Sequence, residues 1–152
     1  MITGTVKNVA SIPLQRSKQY LEEKGFHVWI LEHWNSWVHI RQDAWGLADL
    51  GAFRHDVKGT WYVNACEDNG AVSEHIKAYL NGGIRKNGKH MGESFPPNPH
   101  LPVMLAAGNR FSIMGWGKRC RDGRGTRKEW TMRLIEFYLD GAEVKWKEIA
   151  IN

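Results

Sequence analysis

Hydrophobic positions along the chain change period several times, and each change marks an element. Over residues 12–24, Leu14, Ser17 and Leu21 share one stripe at helical spacing, Pro13 suits a first turn and Gly25 a stop, so the pattern predicts a helix. From Phe26 the period becomes two, and FHVWILEHW, rich in β-branched and aromatic residues, predicts a strand ending at Asn35-Ser36. A second strand is expected over 47–53 (LADLGAF) and a third over 60–67 (TWYVNACE), joined through HDVKG with Gly59 as the turn residue. Asn69-Gly70 closes the third strand. Val72, His75 or Ile76, and Tyr79 or Leu80 then fall on one helical face over 71–80.

Residues 81–100, NGGIRKNGKHMGESFPPNPH, interrupt every pattern with glycine and proline and predict a long surface loop, of a length that in a small domain is usually either functional or disordered. A short helix over 101–108, a strand over 110–118, a partner strand over 129–139 and, after the Asp140-Gly141 turn, a last strand EVKWKEIAI complete the chain. The order α-β-β-β-α-loop-α-β-β-β predicts an α/β fold: a single domain spanning 1–152, with a mixed β-sheet flanked by helices and a C-terminal β-hairpin.

Composition agrees with one globular domain: of 152 residues, 42% are hydrophobic and 24% charged. Two cysteines, Cys66 and Cys120, are too few for a disulfide framework, and no zinc-ligand spacing occurs among the seven histidines. The start MITGTVKNVASIP lacks the basic and apolar regions of a signal peptide, and no apolar run approaches a membrane span. The expectation is a cytoplasmic protein of a bacterial host or a phage, with no membrane partner.

Charge changes the picture more. The segment 118–128, KRCRDGRGTRK, carries Lys118, Arg119, Arg121, Arg124, Arg127 and Lys128 against Asp122 alone, so it accounts for the whole net charge of +5. Clustered like charges repel unless solvent or a polyanion relieves them. The segment reads either as a solvated hairpin tip or as a contact for phosphates.

A second departure from simple patterning is Asp49, a carboxylate among Leu47, Ala48, Leu50 and Ala52. Burying it unpaired is costly, so a metal or a cationic partner is expected. Asp43 lies six residues earlier and Glu32 near the end of the first strand; three carboxylates at adjacent strand ends suit a hard divalent cation. Taken alone, a strand Asp more often pairs with an arginine, here Arg41.

The run from Arg16-Ser17 through LEEKGFHVWILEHWN, RQDAWGLADLGAF, WYVNAC and LAAGNRFSIMGWGK resembles small phage and bacterial proteins of the PD-(D/E)XK nuclease superfamily, whose distant members include archaeal-type Holliday junction resolvases. The resemblance covers about Arg16 to Arg133 and rests on element order and short phrases. It implies a restriction-endonuclease-like fold, with an Asp on the second strand and a (D/E)xK on the third holding Mg²⁺ or Mn²⁺ for phosphodiester hydrolysis. Carried over, the Asp falls on Asp49 and the other positions on Asn64 and Cys66, which depart from the motif in lacking its carboxylate and its lysine. Glu67, turned inward, and Lys77 on the next helix are the residues that would compensate. The helix-one glutamate of the resolvases falls near Leu14 or Gln15, so that ligand is missing.

The resemblance therefore implies a DNA-binding, metal-dependent, structure-selective endonuclease acting as a homodimer. The alternative is a weakened nuclease fold that only binds nucleic acid. Catalytic candidates are Asp49, Asn64, Cys66, Glu67 and Lys77, and metal candidates are Asp49, Asn64, Glu67, Asp43 and Glu32. Of the eight tryptophans, Trp29, Trp61 and Trp130 are expected in the core. Trp34, Trp37 and Trp45 are also expected to pack, with stacking on an unpaired base as the other reading. His33, His39 and His75 flank the same region and are expected as satisfied polar or core side chains, a proton relay being the alternative.

Overall fold

A computed structural model describes residues 12–120 and 128–151. The first helix, α1 (Ile12–Glu23), buries Pro13, Leu14, Ser17 and Leu21. It ends as the pattern predicts: Gly25 has φ +87°, and the Phe26 amide donates to the Leu21 carbonyl at 3.0 Å, closing the last turn in the manner of a Schellman motif.

The predicted strand 26–34 is two elements. β1 (His27–Ile30) joins the main sheet, whereas β2 (His33–Asn35) leaves it and pairs with β3 (Ile40–Gln42) as a separate hairpin. The uninterrupted alternation of FHVWILEHW conceals the break, because leaving a sheet does not change the period of an extended chain. β4 (Leu50–Arg54) begins later than predicted, after a tight bridge between Ala44 and Ala48.

β4 turns at His55-Asp56 into β5 (Val57–Glu67), with Arg54 Nε and Asp56 Oδ1 paired at 2.6 Å. Gly59 is therefore not the turn residue. It lies inside β5 with φ +77°, where a Cβ would stand 2.2 Å from the Gly108 carbonyl oxygen. Its role is close backbone approach.

α2 (Ala71–Asn81) follows, then a small pair, β6 (Gly83–Ile84) with β7 (Ser94–Phe95), inside the predicted long loop, and α3 (His100–Ala106). β8 (Arg110–Cys120), β9 (Lys128–Asp140) and β10 (Glu143–Ile149) complete a six-stranded sheet of order β1-β4-β5-β8-β9-β10. Every neighbouring pair is antiparallel except β5 and β8, which run parallel from Trp61↔Arg110 to Glu67↔Trp116. The fold is thus mixed α/β in one body, and among the described residues no helix is long and apolar enough to cross a membrane.

Each sheet face has its own core. α1 covers the face bearing Leu50, Trp61, Val63, Met114 and Leu134, and α2 and α3 cover the face bearing Cys66, Phe111, Ile113, Ile135 and Phe137. Indole N–H groups tie the first layer: Trp61 Nε1 donates to Ser112 Oγ at 3.0 Å and Trp116 Nε1 to Ser17 Oγ at 2.9 Å. Ser17 is fully buried for that reason.

Trp61 is buried as expected, but Trp29 is 74% exposed and Trp130 39%. Trp29 pairs with Gly51 at the β1 edge, beyond the reach of α2 and α3, and Trp130 lies under the guanidinium of Arg16, 3.9 Å from its centroid. Trp34, Trp37 and Trp45, expected to pack, are at least half exposed. Trp34 and Trp37 belong to the hairpin outside the main sheet, and Trp45, edge-on to Tyr62 at 5.5 Å between centroids, lines a cavity with His100, Val103 and Met104 of α3.

Candidate functional site

Asp49 stands just beyond the end of the β4–β5 ladder, whose last pair is Leu50↔Val63. Its amide donates to the Val63 carbonyl at 2.8 Å, and its Oδ2 accepts the amide of Ala65 at 2.8 Å, so the carboxylate substitutes for a main-chain acceptor. The Asp49 carbonyl in turn accepts the amides of Leu31 and Glu32 at 2.8 and 3.2 Å. One residue thereby connects the end of β1, the start of β4 and the C-terminal half of β5.

Burial dominates the electrostatics at this point. Burial pushes the Asp49 carboxyl up to about 7; the Ala65 amide opposes the rise, and the charges of Glu32 and Asp43 add to it. Asp43 is also raised, chiefly by burial and further by Glu32, against hydrogen bonds from the Gly46 amide and its own. Among the described residues no arginine or lysine figures in the influences on either group. The expected pairing of Asp49 with Arg41 falls on a side chain that lies outside the described residues.

Asn64 and Cys66 share the face that α2 and α3 cover. Continuing the Leu50↔Val63 register by one residue sets Asn64 across from Asp49. Asn64 is only 5% exposed, and its Oδ1 has no hydrogen-bond partner among the described residues. A buried amide oxygen left unpaired costs about 1–3 kcal/mol. Cys66 packs with Val72, Ile76 and Tyr79. Burial, then the charge of Asp49, push its thiol up to about 12, which leaves it a neutral core side chain rather than a nucleophile.

The two compensating residues lie elsewhere. Glu67 is exposed and accepts Asn69 Nδ2 at 3.0 Å. Lys77 is exposed on α2, about 200° round the helix from the buried Tyr79. The structure therefore gathers Asp49, Asn64, Asp43 and Glu32, and leaves Glu67 and Lys77 outside the group.

Two participants had no functional reading in the sequence. Tyr79 is pushed well above its ordinary range, chiefly by burial and further by the charges of Asp49 and Asp43. Asp68 accepts Arg133 Nη1 at 3.1 Å and pairs with Arg119, while Arg133 Nη2 reaches Glu148 Oε1 at 2.6 Å. The signal for Asp68 is the GWG triplet in β8: a Cβ at Gly117 would lie 3.5 Å from Asp68 Cβ, and one at Gly115 would lie 2.5 Å from Val72 Cγ2. Glycines inside a strand announce such an approach.

His33 and His39 are exposed on the separate hairpin. His75 is partly buried against the Tyr79 ring, 5.7 Å between centroids, and its burial lowers its pKa.

Because β5 and β8 are parallel, their C-terminal ends lie side by side, and β8 continues past Trp116 through Lys118 and Arg119. Lys128 opens the returning strand, paired with Cys120. Arg121, Arg124 and Arg127 lie outside the described residues. The basic ribbon therefore leaves the same end of the sheet at which Asp49 and Asn64 meet. Lys118 stands 5.4 Å from the Trp130 centroid, on the α1 side, and Arg119 is held by Asp68 on the other.

An all-oxygen set composed of the Asp49 carboxylate and the Asn64 carbonyl, with Asp43 and Glu32 close enough to act on Asp49, suits a hard cation such as Mg²⁺ or Mn²⁺. Among the described residues no three His, Cys, Asp or Glu side chains are already drawn together at ligand spacing. No family model, no curated protein and no solved structure matches this chain.

Proposed function

We propose that the protein is a DNA-binding, metal-dependent endonuclease of the PD-(D/E)XK type, selective for branched or junction structures. The observation that carries the reading is the placement of Asp49. It heads the second strand of the main sheet, across from the buried Asn64 on the third, whose Oδ1 has no hydrogen-bond partner among the described residues, at the sheet end from which the basic ribbon leaves. That is where the resemblance sets its metal ligands.

In this reading Asp49 and Asn64 hold a divalent cation, with Asp43 and Glu32 adding negative charge nearby. When bound, such a cation stabilises charge developing on the phosphoryl oxygens and lowers the pKa of a coordinated water. This chain's own residues do the rest. The Ala65 amide fixes the orientation of the Asp49 carboxylate, and Lys118, Arg119 and Lys128 attract the phosphate backbone. Symmetric cleavage of a four-way junction takes two copies, so this form of the reading includes a homodimer.

A second reading, a nuclease fold that only binds nucleic acid, is favoured by the outward positions of Lys77 and Glu67, which leave the site without the motif's lysine and its second carboxylate. The test is incubation of the protein with labelled four-way junction, duplex and single-stranded DNA in Mg²⁺, Mn²⁺ or EDTA, beside Asp49→Ala. Metal-dependent cleavage lost in the variant supports the enzyme. Retained binding with no cleavage under any metal supports the binding module, and no binding to any of the three DNAs rejects both.

A further inference from the structure

The hairpin His33–Gln42 belongs to no face of the main sheet. It rises between Glu32 and Asp43, the two carboxylates whose charges act on Asp49, so whatever rests on the hairpin lies beside that group. Its internal order is inverted. Polar side chains fix its shape: Asn35 Nδ2 donates to Gln42 Oε1 at 3.1 Å, and the Trp37 amide donates to Asn35 Oδ1 at 3.0 Å. The apolar ones point outward, with Trp34 56% and Trp37 93% exposed and Val38 and Ile40 about as open as Trp34. An isolated two-stranded hairpin is marginal in water, and a cluster of exposed large apolar side chains marks a place where a partner sits.

Charge selects the partner. Between 33 and 42 there is no carboxylate, and the ionisable residues are His33, His39 and Arg41. Lys118, Arg119 and Lys128 rise from the same end of the sheet. A polyanion fits that field better than an acidic or neutral protein surface. A continuous duplex satisfies the cations but keeps its bases stacked inside, leaving the indoles without a partner. Unpaired bases offer π faces, and stacking of this kind tolerates any sequence.

We infer that the 33–42 hairpin is a stacking element for unpaired bases, with Trp34 and Trp37 as its platforms, so that the adjacent carboxylate group receives frayed, forked or branched nucleic acid in preference to continuous duplex. The inference rests on the nucleic-acid reading above and adds the feature that selects the substrate.

The experiment measures binding in EDTA, so that cleavage does not interfere, by fluorescence anisotropy with a single strand, a blunt duplex and a splayed fork of equal length. A second fork carries 2-aminopurine at its first unpaired position. The protein should bind the fork and the single strand at least about tenfold more tightly than the duplex, and quench the 2-aminopurine. Trp34→Ala with Trp37→Ala should erase that preference and the quenching while leaving duplex affinity within about twofold, and Trp34→Phe with Trp37→Phe should retain most of both. Both rings are exposed, so the melting temperature of either variant serves as the folding control. Equal affinity of the parent protein for all three DNAs, or a fork preference that survives the alanine pair, overturns the stacking role while the nucleic-acid reading stands. Failure of the parent protein to bind any of them overturns both.

Discussion

The backbone amide of Ala65 donates to the carboxylate of Asp49 across 2.8 Å, a main-chain group capped by a side chain just before the start of β4. That bond orients an acid whose burial has moved its pKa from 3.8 to about 7.

A pH dependence follows. With the folded pKa above the unfolded one, folding takes up a proton between about pH 4 and 7; the stability this supplies is complete below the unfolded value and lost as pH rises through 7. At 1.36 kcal/mol per unit the loss is at most about 4 kcal/mol. Asp49→Asn stays neutral and keeps an acceptor for Ala65, so it should match the parent protein near pH 4 and melt about 5–10 °C higher at pH 8. Mg²⁺ or Mn²⁺ should recover part of the difference for the parent protein alone. Parallel melting curves against pH would refute the assignment.

Restoring the motif should separate its two positions. Asn64→Glu adds a carboxylate beside Asp49, so it should lower stability in EDTA and tighten Mn²⁺ binding by calorimetry by about tenfold or more. Cys66→Lys places an ammonium among Val72, Ile76 and Tyr79 and should cost several kcal/mol with or without metal. A Cys66→Lys protein as stable as the parent would mean that this strand position opens onto the site.

Gly115 and Val72 touch too closely for a methyl group. A Cβ at Gly115 would lie 2.5 Å from Val72 Cγ2, so Gly115→Ala should destabilise by about 1–3 kcal/mol. Adding Val72→Ala removes the obstructing methyl groups. The double variant should therefore be less unstable than the two single effects combined, by at least about 0.5 kcal/mol in denaturant melts.

Neutralising Lys118, Arg119, Arg121, Arg124, Arg127 and Lys128 to glutamine should weaken DNA binding at every sequence. The slope of log affinity against log salt should flatten by about 0.9 for each phosphate that the ribbon no longer neutralises. An unchanged slope would remove the ribbon from the interface.

The long strands and the helices were legible because their periods are local properties. The Leu14, Ser17 and Leu21 stripe was recoverable from spacing alone, whereas spacing left Ile76 beside His75 and Tyr79 beside Leu80 as alternatives that the packing of α2 decides. Asp49 was legible as a carboxylate in an apolar run. What periodicity cannot carry is which part of a face is covered: Trp29 alternates like a core residue, yet it is 74% exposed, because α1 packs on the other face of β1 and α2 and α3 do not reach this edge. Nor does it carry meetings between distant segments. Tyr79 beside the carboxylates and Asp68 beneath Arg119 and Arg133 depend on how α2 returns across the sheet.

The crossover between the two parallel strands is fastened at both ends. Where it departs, the Asp68 amide donates to the Trp116 carbonyl at 2.8 Å; where it returns, Asn109 Oδ1 accepts the Thr60 amide at 2.9 Å, next to the contact between Gly59 and Gly108. The chain between these clasps works like a handle riveted to a plate. The stretch about the β6–β7 pair, which takes no part in the main sheet, is accordingly where insertions, deletions or a grafted domain are best tolerated, and where related chains are free to diverge in length while β5 and β8 stay in register.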